Sequence, residues 1–573
     1  MAKPPREAVV SDTLVSAPVH SVAAYLRSGQ PWVWMSAAAI SITFMIACTL
    51  LTLIAARGLP HFWPSDLLLA TYAQPGEPPL RVLAEIRDSE RVPTARLRDA
   101  GLPVAEDRDA WERLLIKVGN RELMGMDFRY ALSEWLVSRS RPADATVLER
   151  TEWGHFHGFL RAVREDGVRV DGDAAWAAYE RTQRRATDLR ERIHRIETER
   201  IGAVNHALER LRLQARRLEL DGRTEQTDPQ AHARLAQRRA AETSKFDGLK
   251  AELDALRSAL ERDAVIVRTA DGRELELPLS RLIRGWQPNA MSLPAKIGFM
   301  FARIGDFVTD DPREANTEGG IFPAIFGTVM MVMIMSAVVT PFGILAALYL
   351  REYARQGIVT QAIRIAVNNL AGVPSIVFGM FGLGFFVYFL GGGIDRLFHP
   401  EAAPAPVFGT PGILWASLTL ALLTLPVVIV ATEEGLSRIP RSLREASLAL
   451  GATQAETLWR VVLPMASPAM MTGLILAIAR AAGEVAPLML VGVVKLAPAL
   501  PLDGNIPYLH LERKFMHLGF HLYDVGFQSP NVEAARPLVY ATAFMLVLVI
   551  LLLNLAAIGI RNRLRERYRA LES

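Results

Sequence analysis

Residues 432–468 read TEEGLSRIPRSLREASLALGATQAETLWRVVLPMASP, and their punctuation is that of two short helices meeting at a bend. Ser442 stands where an N-cap belongs and Glu445 follows three residues later, the capping-box spacing. Leu443, Ala446, Leu448, Leu450 and Ala452 supply apolar faces. Gly451 interrupts them, and glycine is the residue that turns a chain sharply without a Cβ penalty. Thr453 with Glu456 repeats the capping pattern and opens a second helix. Val461, Val462 and Leu463 follow, and Pro464 closes the unit. What flanks this helix–bend–helix unit decides the class of the whole chain.

On both sides lie apolar runs. A helix needs about 20 such residues to cross a hydrocarbon core about 30 Å thick. Runs near 322–350, 365–390 and 412–431 precede the unit; 466–494 and 538–560 follow it. A further run at 33–55 is too long for the apolar region of a cleaved signal and lacks a cleavage site, so it reads as an anchor. The total is about six spans, two of them long enough to tilt or bend. The fold class is therefore an all-α membrane protein with a large insert after its first span.

The 573 residues are 51% hydrophobic yet 22% charged, because apolar ends enclose a charge-dense block. Net charge is +4, and no Lys/Arg tract is interleaved with aromatics, so nothing points to nucleic acid. Cys48 is the single cysteine, which excludes an internal disulfide and paired-cysteine zinc sites.

Lysine and arginine near the spans set orientation. Lys3, Arg6 and Arg27, then Arg351, Arg355 and Arg364, then Arg438, Arg441, Arg444 and Arg460, then Arg561, Arg563, Arg565, Arg567 and Arg569 all fall on one side if the N-terminus is cytoplasmic. The opposite side carries Arg396 in one loop, and Lys495, Arg513, Lys514 and Arg536 in the other. Both termini are expected in the cytoplasm. Residues 1–32 then form a cytoplasmic segment, 33–55 the anchor, 56–290 an external or periplasmic domain and 291–573 the membrane domain with its loop at 432–465.

Within the insert, 65–165 reads as a small mixed α/β region. Residues 174–262 read as a helical hairpin turning at DGRTEQTDPQ (221–230), with Phe246, Leu249, Leu253, Leu256 and Leu260 as a coiled-coil seam. VIVRTADGRELELP (265–278) places Asp271-Gly272 between alternating runs, a β-hairpin signal.

The spacing Glu445-Ala446-Ser447, three residues, Gly451, nine residues, Val461-x-Leu463-Pro464 resembles the EAA loop of ABC-importer permeases, with Ser447 for the second alanine and Val461 for the usual isoleucine. The likeness narrows with ANTEGGIFPAIFGTVMM (315–331), NNLAGVPSIVFGMFGLGFF (368–386), FGTPGILWASLTLALLTLPVVIVATEEGL (408–436), ARAAGEVAPLMLVGVVKLAP (479–498) and HLERKFMHLGFHLYDVGFQSPN (510–531). Together these are similar to the A-type permeases of phosphate (Pst) importers, in the long form with an N-terminal extension, over about residues 290–570. The resemblance implies a type I ABC-importer permease core. It implies that Glu445, Ala446, Gly451, Leu463 and Pro464 seat on an ATPase dimer. It further implies a second, C-type permease subunit, an external phosphate-binding protein, inorganic phosphate as cargo and a lipid bilayer around the spans. ATP with its Mg2+ would be bound by the partner ATPase, with no cofactor in this chain. The sequence has no G-x-x-x-x-G-K-[ST] loop, which agrees.

ILAIARAAGEVAPLMLVGVV (475–494) sets Arg480 and Glu484 in an apolar run. Four apart, they share one helix face. Ionisable groups inside a membrane pair and face a bundle interior or aqueous cavity. A planar, always-charged guanidinium suits a tetrahedral oxyanion, so Arg480 is the candidate phosphate contact and Glu484 its orienting partner. A purely structural pair holding two permease subunits together is the other reading. Asn368 and Asn369 would begin the third span and line the path or bond between helices. Pro341, Pro374, Pro426 and Pro487 would bend spans; Gly379, Gly382 and Gly384 would permit close packing. His517 and His521 are four apart but lack a hydrolase glutamate, so no metal site is assigned. The segment around them reads as a docking or re-entrant element. The alternative from another class is a membrane signal receptor with the coiled-coil block as its sensor, which expects an output domain where RNRLRERYRALES (561–573) stands. An importer permease for a different oxyanion is the nearer alternative, and a membrane enzyme lacks a nucleophile–base pair or metal cluster among the spans.

Overall fold

The computed structural model describes residues 29–105, 107–172, 174–529 and 532–569. Lys3, Arg6, Arg27, Pro530 and Asn531 lie outside the described residues, as do the side chains of Arg565, Arg567 and Arg569. By internal packing the chain divides into residues 1–57 and 58–573, each taken by itself. In the first unit the apolar run becomes helix α1 (Gln30–Gly58). Its sequence is apolar on every side, as a helix solvated by lipid requires.

The second unit begins with a block far richer in β-structure than its sequence suggests. Strands β1 (Leu67–Tyr72), β2 (Leu80–Pro93), β3 (Ala110–Lys117), β4 (Phe128–Leu132) and β5 (Leu136–Ser140) form an antiparallel sheet in the order β4-β3-β2-β1-β5. Strands β6 (Ala145–Arg150), β7 (His155–Glu165), β9 (Ala264–Arg268), β10 (Glu274–Pro278) and β11 (Leu282–Trp286) form a second, ordered β10-β9-β7-β6-β11, with β8 (Val168–Asp171) on β7. The insert thus holds the expected helical hairpin and β-structure, the latter as two complete sheets. Sheet residues are interleaved with arginine and glutamate: Val82 and Ala84 of β2 are buried, whereas Asp88 to Arg91 are exposed. Only half-faces are apolar, and such strands leave no continuous run to read.

The helical hairpin comprises α2 (Ala174–Arg195), α3 (Gly202–Leu220) and α4 (Pro229–Glu261). Asp228 caps α4 by accepting from the Ala231 N–H at 3.1 Å. Leu249, Leu253 and Leu256 are buried with Ile196 and Val204, while Leu260 joins the core under the second sheet. The 265–278 segment forms a β-hairpin with Val267 opposite Leu275 and Gly272 at φ +94°.

One carboxylate fastens this block to the rest of the chain. Helix α5 (Leu293–Thr309) and the two-residue strands β12 (Pro312–Arg313) and β13 (Glu318–Gly319) follow the block. Glu149 of β6, nearly fully buried, meets Arg284 of β11 at 3.0 Å, Arg313 of β12 at 2.6 Å, and Arg303 of α5. Burial opposes its charge, but the three guanidiniums overcome this and hold the carboxyl below its ordinary range. A depressed carboxyl stabilises the fold above its unfolded pKa and loses that contribution as pH falls through the folded value. Glu149→Ala is expected to cost about 3–5 kcal/mol, since it strands buried cations. Limited proteolysis of the full chain in detergent, with cleavage rising between residues 286 and 312 in the variant and in the parent only under acid, checks both.

The remaining apolar runs become helices long enough to span: Phe322–Tyr353, Ser375–Phe398, Ile413–Ser437, Gln454–Gly483 and Arg536–Arg563. Their main elements are α6 (Phe322–Leu348), α7 (Ile358–Leu370), α8 (Ile413–Ser437), α9 (Arg441–Ala449), α10 (Gln454–Thr457), α11 (Leu463–Gly483) and α12 (Val532–Arg569). Met331 and Met335 of α6, Leu420 and Val428 of α8, and Ala477 and Ala481 of α11 form the buried centre. Pro341 and Pro426 lie inside helices, whereas Pro374 and Pro487 each stand immediately before one. Gly379 packs closely: a Cβ there would stand 2.7 Å from the Pro487 Cα. Gly384, in contrast, has open space around it.

Two expected spans are redrawn. The 365–390 run is not one helix: α7 ends at Leu370 and the span starts at Ser375, because Gly372 and Pro374 intervene. Asn368 and Asn369 are thus exposed at the end of α7 rather than opening the span. The 466–494 run is helical to Gly483 and then breaks. Residues 484–528 fold back into the protein, with Phe515 and Leu518 fully buried and the Leu518 N–H donating to Thr328 Oγ1 at 2.9 Å.

Candidate functional site

Two sites lie on the same span, one at each end of α11. At its start, α9 and α10 meet at Gly451, whose φ of +87° only glycine adopts freely. Thr453 and Glu456 form a complete capping box, the Thr453 N–H donating to Glu456 Oε2 at 2.9 Å and the Glu456 N–H to Thr453 Oγ1 at 3.2 Å. Ser442 does not cap α9. Pro440 already directs the chain into a helix that starts at Arg441, leaving Ser442 one residue inside. Nor does Pro464 close the unit: helix runs unbroken from Gln454 to Gly483. A widened turn at Leu458–Val462 precedes Pro464 and relaxes the i−4 clash that proline would otherwise create.

Glu445, Ala446 and Gly451 are exposed, while Leu463 packs against a small core of Leu348, Leu436, Leu458 and Val462. That core joins the helical knob to the ends of α6 and α8. Polar ties reinforce it. Arg444 reaches Glu352 at 2.9 Å and donates to the Ile439 and Leu436 carbonyls at 3.0 Å. Ser447 Oγ lies 2.8 Å from Thr457 Oγ1 across the bend. The Arg444–Glu352 tie was not foreseeable, since Glu352 is remote in sequence from Arg444. The free side of the knob is apolar: Leu450 is 90% and Trp459 66% exposed. The knob thus presents an exposed apolar face on one side and a core continuous with α6 and α8 on the other.

At the other end of α11, Arg480 is in the last helical turn, where a cation complements unsatisfied carbonyls. Glu484 is the first residue after the helix, in extended conformation. Arg480 Nε and Glu484 Oε1 are 3.5 Å apart, an ion pair without a hydrogen bond between them. The Nε is buried with no hydrogen-bond partner among the described residues. The pair is thus brought together, but not on the shared helix face its spacing implied, because the helix ends at Gly483, and the Arg480 Nε keeps its donor unspent. A span broken beside a charged residue is the arrangement in which freed backbone and side chains face a path.

The histidines divide. His510 bonds Asp503 at 3.0 Å and Glu512 at 3.1 Å, and His517 Nδ1 caps the turn that follows by accepting from the Gly519 N–H at 3.1 Å. Both are structural. A group not anticipated is Glu85, His155 and His157, whose ligand-type atoms lie within 4.8 Å of one another. The two imidazoles share a face of β7, but Glu85 comes from β2 and nothing local joins them. Lys117 Nζ lies 3.0 Å from His155 Nδ1 and Arg87 pairs with Glu85. These cations already occupy the electrostatic role of a metal, and the donor set does not fit one.

Comparison with known proteins agrees with this geometry. Residues 339–570 match the family described as the binding-protein-dependent transport system inner membrane component. The probable ABC transporter permease protein YqgI of Bacillus subtilis (strain 168) is 31% identical over 258 residues, 44% of this chain and 81% of that one. The phosphate transport system permease protein PstA 1 of Mycobacterium tuberculosis (strain CDC 1551 / Oshkosh) is 35% identical over 247 residues, 42% of this chain and 71% of that one. The probable phosphate transport system permease protein PstA of Methanocaldococcus jannaschii is 30% identical over 236 residues, 40% of this chain and 73% of that one.

Proposed function

The chain belongs to the binding-protein-dependent transport inner-membrane family, as a PstA-type ABC-importer permease of type I fold, and on that premise we propose that it forms half of a phosphate pathway and is driven by an ATPase seated on residues 432–468. It is a membrane-embedded transport permease and not an enzyme. Arg480 contacts the oxyanion and Glu484 holds its side chain in place. The observation that carries this is the buried Arg480 Nε without a hydrogen-bond partner among the described residues, beside a broken span. The termini lie in the cytoplasm, where the knob meets the ATPase and its ATP and Mg2+. A C-type permease completes the path, and a phosphate-binding protein delivers cargo on the side of the insert.

Radiolabelled phosphate uptake in a strain lacking this chain, restored by the parent and competed with sulfate and molybdate, tests the cargo. Equal competition by all three would overturn phosphate. The knob has its own test. Leu450→Asp places a charge on the 90% exposed apolar face without touching the fold. Desolvating that carboxylate in an interface costs several kcal/mol. The ATPase is expected to be lost on co-purification and uptake with it, while the variant remains in the membrane at parental level. Retained co-purification would place the ATPase elsewhere.

A further inference from the structure

Between the insert and the broken span stands one strained turn, the pair β12–β13 with Glu314 to Thr317 at its tip. Glu314 stands at φ +42° and Asn316 at φ +74°. Both values lie in the left-handed region, which asparagine tolerates and glutamate resists. Residues persist in such conformations only where their surroundings over-determine them. Here each residue has its own grip. The insert holds Glu314: Arg121, between β3 and β4, donates to its carboxylate oxygens at 3.1 and 3.2 Å. The N–H of Trp153, between β6 and β7, donates to Glu314 Oε1. Trp153 is itself at φ +70°, and Arg150 secures it by donating to its carbonyl at 2.6 Å.

Asn316 is held from the other direction. It is buried, and its Nδ2 donates to Asp524 Oδ2 and to the Lys495 carbonyl, both at 3.0 Å. Lys495 Nζ lies 3.0 Å from the same Asp524 oxygen. Lys495 and Asp524 belong to residues 484–528, which fold back beyond the end of α11. That segment is cross-tied, the Val494 N–H donating to the Phe515 carbonyl at 3.0 Å and the Phe515 N–H to the Gly492 carbonyl at 3.2 Å. It also abuts the residue after Glu484: a Cβ on Gly519 would stand 2.6 Å from Val485 Cγ2. From Arg121 to Glu484, each step is a hydrogen bond, a packing contact or a short stretch of backbone.

We propose that the turn is a coupling element: Glu314 and Asn316 are positioning residues for the segment beside Arg480 and Glu484, and the insert sets that position through them. With both grips made, the turn is held in its left-handed form. When either opens, the backbone relaxes and draws the other away, which gives the connection two discrete arrangements. A protein that pulls on the insert thereby acts on the end of α11 without touching it. That this end lines a phosphate path rests on the proposed function; the coupling itself does not.

Amide hydrogen exchange of the full chain in phosphatidylcholine nanodiscs tests it. Glu314→Ala should speed exchange at the Val494 and Phe515 amides about tenfold, within the range usual for coupled sites. Glu314→Gly should do so clearly less, because glycine keeps φ +42° unaided. Coupling is reciprocal, so Asn316→Ala should speed exchange at the Trp153 amide by a similar factor. The amides of β1 and β2 should not change. If Glu314→Ala loosens those strands as well, Arg121→Met decides, since it opens the same grip and leaves the turn intact. Unchanged exchange at Val494 and Phe515, unchanged exchange at Trp153, or equal effects of alanine and glycine would each overturn the proposal. In the assembled complex, Glu314→Ala should lower maximal phosphate uptake about fivefold and move the half-saturating concentration less than about twofold. Parental uptake in that variant would overturn control of the path by the insert. A parent chain that imports no phosphate would instead remove the cargo and leave the exchange result standing.

Discussion

Replacing Arg480 by alanine is expected to reduce phosphate uptake at least tenfold while the assembled complex survives. The reasoning starts from cost. An arginine inside a span is unfavourable by about 2.5–3.5 kcal/mol on insertion scales, and a sequence keeps it only when something offsets that. Glu484 offsets part of it by proximity, yet the 3.5 Å separation leaves the guanidinium without a hydrogen bond from it to the carboxylate. A purely structural pair would spend its fork on its partner, because bidentate geometry is what makes Arg–carboxylate pairs strong. Losing one charged hydrogen-bond partner of a desolvated anion costs about 2–5 kcal/mol, and each 1.4 kcal/mol is tenfold. Arg480→Lys keeps the charge but not the fork and should fall between parent and alanine. Glu484→Gln discriminates the alternatives. If the pair only holds subunits together, it should harm assembly as much as Arg480→Ala does. If Glu484 merely steadies Arg480, assembly persists and uptake falls less. Normal uptake by an assembled Arg480→Ala complex would end the assignment.

What could be read in advance follows a physical divide. The spans were legible because a lipid-facing helix must be apolar over its full length, a signal that no tertiary contact can hide. The bend at Gly451 was legible because a positive φ needs glycine and the Thr453–Glu456 box is local. Helix breaks inside apolar runs were less so. The stop at Gly483 and the turn before Ser375 depend on Gly and Pro acting together, while the runs on either side keep their hydropathy. The two sheets were nearly invisible. Their strands bury half-faces against partners far along the chain, as when Phe159 of β7 pairs with Arg268 of β9. The cluster on Glu149 was hidden for the same reason. Glu149, Arg284 and Arg313 meet only when β6, β11 and β12 come together. The Arg480–Glu484 pair, four residues apart across the end of one helix, needed no such assembly.

Gly451→Val is expected to abolish coupling, and the surroundings make this a clean test of backbone conformation. A Cβ added at Gly451 would meet nothing within 4 Å, so crowding by neighbours is excluded as a cause. What remains is φ +87°, which costs an L-residue about 1–2 kcal/mol and a β-branched one more. That is a factor of about 5–30 against the native bend. The bend sets the angle between α9 and α10, and with it the Ser447–Thr457 contact at 2.8 Å. Since helix continues from Gln454 to Gly483, an error of angle at the knob is carried along the same rigid element to Arg480. Valine should therefore lower uptake at least tenfold, with the chain still inserted and ATP hydrolysis by the complex no longer tied to transport. Gly451→Asn, whose side chain tolerates left-handed backbone, should retain most of the uptake. The comparison of the two variants is what decides. If asparagine were as damaging as valine, the exposed surface at 451 rather than its backbone would be the functional element, and the bend would lose its role as the hinge between motor and path.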